Sequence, residues 1–268
     1  MTLIRKFKEH VPSQMKSIVR PLYWKMVASY HAPKGGLFTS TNIETYGHCN
    51  RKCSFCFNND RFPNRHTGIM STDIWGKTIE ELSSINYTGR ISPHHFGEPL
   101  LDKRLPELIS LARKKCPQAE IHFSSNGDLL TENVLLELLE AGLDSILVTN
   151  YDDLENPNLV KLHNKYPSNI RYRNVKDMWL QNKAGAQLDR TSRHVNMPCL
   201  RPSRQLVIDW QGNVVLCCND YYESHVFGNV KDKSILEIWN SEDFQQYRQL
   251  LRRGHRAEID ICENCDTD

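Results

Sequence analysis

Cys49, Cys53 and Cys56 lie in the run Cys-Asn-Arg-Lys-Cys-Ser-Phe-Cys, three soft thiols within eight residues and an aromatic before the last. Thiolates of this kind select iron–sulfur clusters or zinc over hard cations. A closed structural zinc site takes four protein ligands, usually in C-x2-4-C pairs. No further cysteine follows Cys56 at such a spacing, and His48 and His66 are the nearest substitutes. Three thiolates alone leave one metal position open, and an open position is where chemistry can occur.

A second constellation lies near the other end. Cys199, Cys217, Cys262 and Cys265 are separated by 18, 45 and 3 residues, the last two forming C-x2-C. Four thiolates make a closed site, and spacing alone suits a structural zinc as well as a [4Fe-4S] cluster. Cys218 directly follows one of the four and reads as an alternate ligand or as an inert residue facing the other way. Cys116 precedes Pro117 and reads as a small buried hydrophobe.

The elements that must hold these groups alternate between strand and helix, the pattern of a parallel α/β unit. Strands are predicted at 38–45, 90–96, 119–124, 145–150 and 169–175. Helices are predicted at 72–84 behind Ser71, at 101–115, and up to Ala141 behind Thr131. The first cysteine loop then follows strand one, at the end where α/β barrels carry their active sites. No sixth strand is evident between 176 and 198, so any barrel is partial. Two short β-branched runs, 205–209 and 213–217, flank Trp210-Gln211-Gly212 as a hairpin, and helical pieces follow at 235–239 and 242–253. The resulting division is a basic helical extension (1–36), a partial (β/α) barrel (37–185) and a small cluster-binding unit (186–268).

Bulk composition fits an ordinary soluble globular protein. Of 268 residues, 39% are apolar and 25% charged, the net charge is +2, and neither an 18-residue apolar run nor a secretory h-region occurs. The expected location is the cytoplasm, where clustered cysteines bind metal or catalyse more often than they pair. Residues 1–35 hold seven Lys or Arg against Glu9 alone, with apolar residues at helical steps broken by Pro12 and Pro21. This arm reads as packing on the body, or as docking a protein partner or a membrane surface. Basic residues without a stacking platform or module motif argue against nucleic acid.

The C-x3-C-x-aromatic-C loop resembles that of the radical S-adenosylmethionine (SAM) enzymes. The C-terminal hairpin, Phe227-Gly228-Asn229, the segment around Ile238-Trp239 and the final C-x2-C resemble their SPASM domain in its shortened "twitch" form. The resemblance implies two [4Fe-4S] clusters, on Cys49, Cys53 and Cys56 and on Cys199, Cys217, Cys262 and Cys265, with SAM on the open iron of the first. It also implies SAM contacts at Gly97, Glu98 and Pro99, at Ser125 and Asn126, and at Phe55, together with a flavodoxin- or ferredoxin-type reductant. Among the family the four-cysteine spacing is most similar to that of the aminocyclitol (2-deoxy-scyllo-inosamine) dehydrogenases, which oxidise a secondary alcohol to a ketone. The expected activity is therefore a net oxidation of a small molecule, with the auxiliary cluster taking an electron.

Two other readings share these residues: maturation of a ribosomal peptide, and a non-catalytic zinc or iron–sulfur module. For the base that removes a hydroxyl proton, His94, His95, Tyr151, Asp152, Arg171 and Arg173 lie at or near strand ends. Strand alternation sends His94 and His95 to opposite faces, so at most one looks into the barrel, and His95 is the candidate taken. By resemblance to the family's radical epimerases, Cys218 is also a candidate catalytic residue, as a thiol hydrogen-atom donor.

Overall fold

The computed structural model describes residues 36–58, 66–178, 180, 182, 184 and 197–266, so the basic arm lies outside the described residues. The first part of the chain alternates β1 (Ser40–Ile43), α1 (Thr72–Ser84), β2 (Arg90–Ser92), α2 (Leu105–Lys115), β3 (Glu120–Ser125), α3 (Glu132–Glu140), β4 (Ser145–Asn150), α4 (Pro157–Lys165) and β5 (Ile170–Asn174). Then come α5 (Arg201–Arg204), β6 (Gln205–Ile208), β7 (Asn213–Val215), β8 (Val226–Asn229), α6 (Ile235–Trp239), α7 (Glu242–Arg253) and α8 (Asp260–Glu263). All eight strands form one open sheet in the order β5-β4-β3-β2-β1-β6-β7-β8.

Local chemistry sets the helix starts. Ser71 and Thr131 accept from the amides of Ile74 and Val134, as their side chains suggest. Asn156 caps α4 with Pro157 in its first turn, a start signal that the strand-and-helix pattern alone does not reveal. The predicted helix 101–115 divides into a 3-10 turn at Pro99–Leu101 and α2, with Asp102 between them. The predicted strand 90–96 stops at Ser92, because Pro93 has no amide to give the ladder.

The hairpin occupies an unexpected place. β6 pairs parallel with β1, Thr41 opposite Leu206, and fills the sixth parallel position that the stretch 176–198 does not supply. Leu206, Val207 and Ile208 are all fully buried, the mark of a strand covered on both faces rather than of a half-exposed hairpin. β7 and β8 then continue antiparallel, with a register shift at Val214/Val215. The cysteine-bearing C-terminal segment is therefore hydrogen-bonded to the barrel strands.

Side chains tie the same join. Trp239, 1% exposed, meets the Phe38 ring edge-on at 5.1 Å between centroids, and its Nε1 donates to the Gly36 carbonyl at 2.6 Å. The Arg248 guanidinium lies over the Trp239 ring, 3.9 Å from its centroid. Truncating so large a buried ring costs about 3–5 kcal/mol. Trp239→Ala should lower stability by that order while keeping a single transition in anaerobic urea unfolding, since the ring joins α6 to the strand that enters β1. Two separated transitions would show that the join is weak.

Candidate active site

The cavity opens at the C-terminal ends of β1 to β4. Cys49, Cys53 and Cys56 line it together with Phe55, Gly97, Glu98, Ser125 and Asn126. Thus the cysteines and five of the six predicted SAM contacts share one space; Pro99 starts the adjoining 3-10 turn. Tyr151 also lines this space, its ring 5.6 Å from that of Phe55.

Glu98 organises this end of the sheet. Its amide donates to the His48 carbonyl at 2.8 Å, beside Cys49. Its carboxylate accepts from the Ser125 hydroxyl at 2.7 Å, the Asn126 amide at 2.8 Å and the Leu100 amide at 3.1 Å. Burial pushes the carboxyl pKa up against the opposing pull of these donors. Asn126 continues the chain, its Nδ2 donating to Asn50 Oδ1 at 2.9 Å and lying 3.9 Å from Cys49 Sγ. Gly97 has no room for a side chain, because a Cβ there would lie 1.8 Å from the Tyr46 carbonyl oxygen. The Gly-Glu-Pro turn therefore clasps the cysteine loop from below, and Glu98 holds the loop after β3.

Arg51, between the first two cysteines, was not singled out by its sequence context. Its Nε and Nη2 reach Asp128 at 2.6 and 2.5 Å, and Nη1 and Nη2 reach Asp152 at 2.8 Å each. Asp152, a suspected substrate residue, is thus a clamp on the cysteine loop. Arg51 in turn holds its carboxyl below the usual range. The signal available was an Arg inside the cysteine loop facing acids after strands three and four.

His94 and His95 both line the cavity, contrary to strand alternation, because the strand has ended at Ser92. Ser92 gives its one hydroxyl hydrogen to the His122 carbonyl at 2.7 Å. Its oxygen must then accept from His94 Nδ1 at 2.9 Å, which fixes the tautomer and leaves Nε2 of His94 as an acceptor. Burial pushes the His94 pKa down to about 3, with His122 nearby adding to the effect. The His95 ring lies 3.8 Å from that of Phe96. Arg171 and Arg173 are exposed on β5, the latter donating to Thr149 Oγ1 at 2.9 Å.

The second constellation is drier. Cys199, Cys217, Cys262 and Cys265 are each 8 or 9% exposed. Burial raises the thiols of Cys199, Cys217 and Cys262, and neighbouring cysteines raise each further. The Asn219 amide and Nδ2 approach Cys217 Sγ and Cys265 Sγ at 3.4 and 3.7 Å. Cys218 is half-buried, takes Arg201 Nη1 at 3.0 Å and does not line the cavity. A stacked pair connects the two regions: Phe57, next to Cys56, lies 3.5 Å from the ring of Tyr221, four residues beyond Cys217.

Comparison with known proteins agrees with this geometry. The radical SAM superfamily model matches residues 43–176, and the SPASM iron–sulfur cluster-binding domain matches 199–266. The S-adenosyl-L-methionine-dependent 2-deoxy-scyllo-inosamine dehydrogenase of Niallia circulans is 32% identical over 243 residues, 86% of this chain and 93% of that protein. The chain belongs to the radical SAM superfamily. The structure of BtrN in complex with AdoMet and 2-DOIA superposes with a TM-score of 0.80 at 32% identity, covering 86% of this chain and 94% of that one. BtrN in an open conformation gives a TM-score of 0.70 at 30% identity, covering 86% and 93%. The protein anSMEcpe with bound AdoMet and Cp18Cys peptide shares the fold alone, at 14% identity over 84% of this chain and 88% of that one, with a TM-score of 0.58.

This radical SAM protein is accordingly an oxidoreductase that uses SAM and two [4Fe-4S] clusters. The residues present fit them. Three thiols share the cavity with Glu98 and Asn126, and four more, almost dry, approach one another. Thiols this close cannot all ionise against one another, and metal cations are what turns such a set into ligands. Among the described residues no three His, Cys, Asp or Glu side chains converge on one ion-sized point. The thiolates of a cubane each bind a different iron.

The depressed His94 pKa makes a stability prediction. The unfolded chain takes up a proton near pH 6.5 that folded His94 refuses until about pH 3, so stability is lost as pH falls through this window. Between pH 7 and pH 5 the loss from this group is about 2 kcal/mol, at 1.36 kcal/mol per unit. His94→Gln should flatten the pH dependence of anaerobic urea unfolding over that interval by this order. An unchanged slope would contradict an imidazole kept neutral by the fold.

Proposed function

We propose that this enzyme oxidises a secondary alcohol of an aminocyclitol, or of a closely related amino-polyol, to a ketone. Support comes chiefly from the likeness to the 2-deoxy-scyllo-inosamine dehydrogenase over nearly its whole length, at 32% identity. Cys49, Cys53 and Cys56 hold the cluster that binds SAM, with Glu98, Ser125 and Asn126 fixing the loops around it. Cys199, Cys217, Cys262 and Cys265 hold the auxiliary cluster. When bound, SAM on the first cluster supplies a hydrogen-abstracting adenosyl radical and the auxiliary cluster an acceptor for the second electron, so that an alcohol also shedding its hydroxyl proton leaves as a ketone.

The chain's own contribution is positioning and exclusion of water. Phe55, Phe57, Phe96 and Tyr151 supply an aromatic wall, and the fixed Nε2 of His94 supplies an acceptor suited to a substrate hydroxyl. His94 thus orients the hydroxyl as a hydrogen-bond acceptor, and its lowered pKa argues against its keeping the proton, the role first given to His95. Cys218 lies off the cavity beside Arg201, which favours a part in the auxiliary region over hydrogen-atom donation. A flavodoxin- or ferredoxin-type protein supplies the reducing electron, and the cytoplasm is the location. No helix among the described residues is long and apolar enough to cross a membrane.

The test is incubation of the anaerobically reconstituted protein with SAM, a reductant and 2-deoxy-scyllo-inosamine, followed by mass spectrometry. The expected product is lighter by two hydrogens, with one 5′-deoxyadenosine formed per product. Cys49→Ala should abolish 5′-deoxyadenosine, whereas Cys262→Ala should retain some and lose the ketone. Cleavage of SAM without any change in this or related amino-polyols would reject the substrate class, and full cleavage by Cys49→Ala would reject the loop.

A further inference from the structure

Two arginines reach the auxiliary cysteines, and they are used differently. Arg256, 1% exposed, spends its guanidinium on the backbone: Nε on the Met197 carbonyl at 2.8 Å, Nη2 on that of Pro198 at 3.1 Å and Nη1 on that of Cys265 at 3.3 Å. It is a brace across the ends of the site. Arg201 points at sulfur instead. It opens α5 two residues after Cys199, its Nη1 donates to Cys218 Sγ at 3.0 Å, and its Nε is buried with no hydrogen-bond partner among the described residues.

Charge follows the same geometry. A guanidinium does not deprotonate in a protein, so a fixed positive charge stands against Cys218, next in the chain to Cys217, and two residues after Cys199. A cluster's reduction potential depends on net charge, hydrogen bonds to its sulfurs and exclusion of solvent. With the ligands 8 or 9% exposed, the field of a nearby cation is screened little.

We propose that Arg201 is a positioning residue for charge, which raises the reduction potential of the auxiliary cluster and so lets it accept the substrate's second electron. The proposal rests on the reading of that cluster as electron acceptor given above. The electron it receives balances the one left on the carbon after hydrogen abstraction, and the hydroxyl proton leaves separately. Cys218 is then a neighbour that accepts one hydrogen bond from a guanidinium already placed by the start of α5.

Redox titration of the reconstituted holoenzyme, followed by electron paramagnetic resonance, tests this directly. SAM shifts the signal of the N-terminal cluster and so distinguishes the two. Iron analysis first confirms about eight irons per chain. R201Q should lower the electron affinity of the auxiliary cluster at least tenfold, which is 59 mV for one electron, and leave the N-terminal cluster unchanged. R201K, which keeps the charge, should remain within about threefold of the wild type. C218A should not lower the affinity, since the guanidinium stays. If R201Q fails to retain its iron, R201M serves as the neutral form.

An R201Q midpoint equal to the wild type overturns the proposal, as does an R201K midpoint as low as that of R201Q. A fall in C218A matching R201Q assigns the effect to the thiol and also overturns it. Loss of auxiliary iron from both neutral variants, with iron retained in R201K, would make Arg201 a binding brace and overturn it as well. The ratio of ketone to 5′-deoxyadenosine tests the underlying reading separately. If the potential falls in R201Q and that ratio does not, Arg201 keeps its role and the auxiliary cluster loses its own as acceptor.

Discussion

The buried carboxylate of Glu98 is the fastening on which the cavity depends. Through its backbone it holds the loop that carries Cys49, and through its side chain it holds Ser125 and Asn126 at the end of β3. A carboxylate 3% exposed is costly unless every lone pair has a donor, and here three donors are fixed by the ends of the sheet. Gly97 permits the approach, since any side chain there would collide with the Tyr46 carbonyl. Rigid strands thus determine where the three thiols stand.

The two cysteine regions work as one enzyme because the sheet does not stop between them. β6 continues from β1, Trp239 packs on Phe38, and Phe57 stacks on Tyr221. The stack is the shortest ring contact between the two cysteine-bearing loops among the described residues. A substrate lying between a SAM site and a dry four-thiolate site must meet both in fixed geometry, and a continuous sheet provides that at less entropic cost than a hinged appendage.

Much of this was legible in the sequence because its signals were covalent or strongly local. Cysteine spacing announced the family and, with it, two clusters. Ser71 and Thr131 announced their helices, the second ending one residue short of the expected Ala141, and the run 145–150 its strand with the bounds later found. The rest depended on contacts distant along the chain. Nothing in Gln205–Ile208 says that its neighbour is β1 rather than a separate sheet, because three apolar residues in succession fit a hairpin and a buried parallel strand equally. Alternation misplaced His94 because Pro93 ends the strand, and the Ser92 hydroxyl that fixes its tautomer is committed to a carbonyl thirty residues away. Arg51 and Arg201 escaped notice for a similar reason: an isolated Arg declares its role only when its partners arrive from other loops.

The central claim is that Cys49, Cys53 and Cys56 leave one iron open for SAM. Electron–nuclear double resonance on the reduced holoenzyme, with SAM labelled by 15N in its amino group and 17O in its carboxylate, measures that bond itself. Hyperfine coupling of both labels to the N-terminal cluster, absent from Cys49→Ala, is the expected result. A reduced cluster whose spectrum ignores SAM, with neither label coupled, would contradict the account.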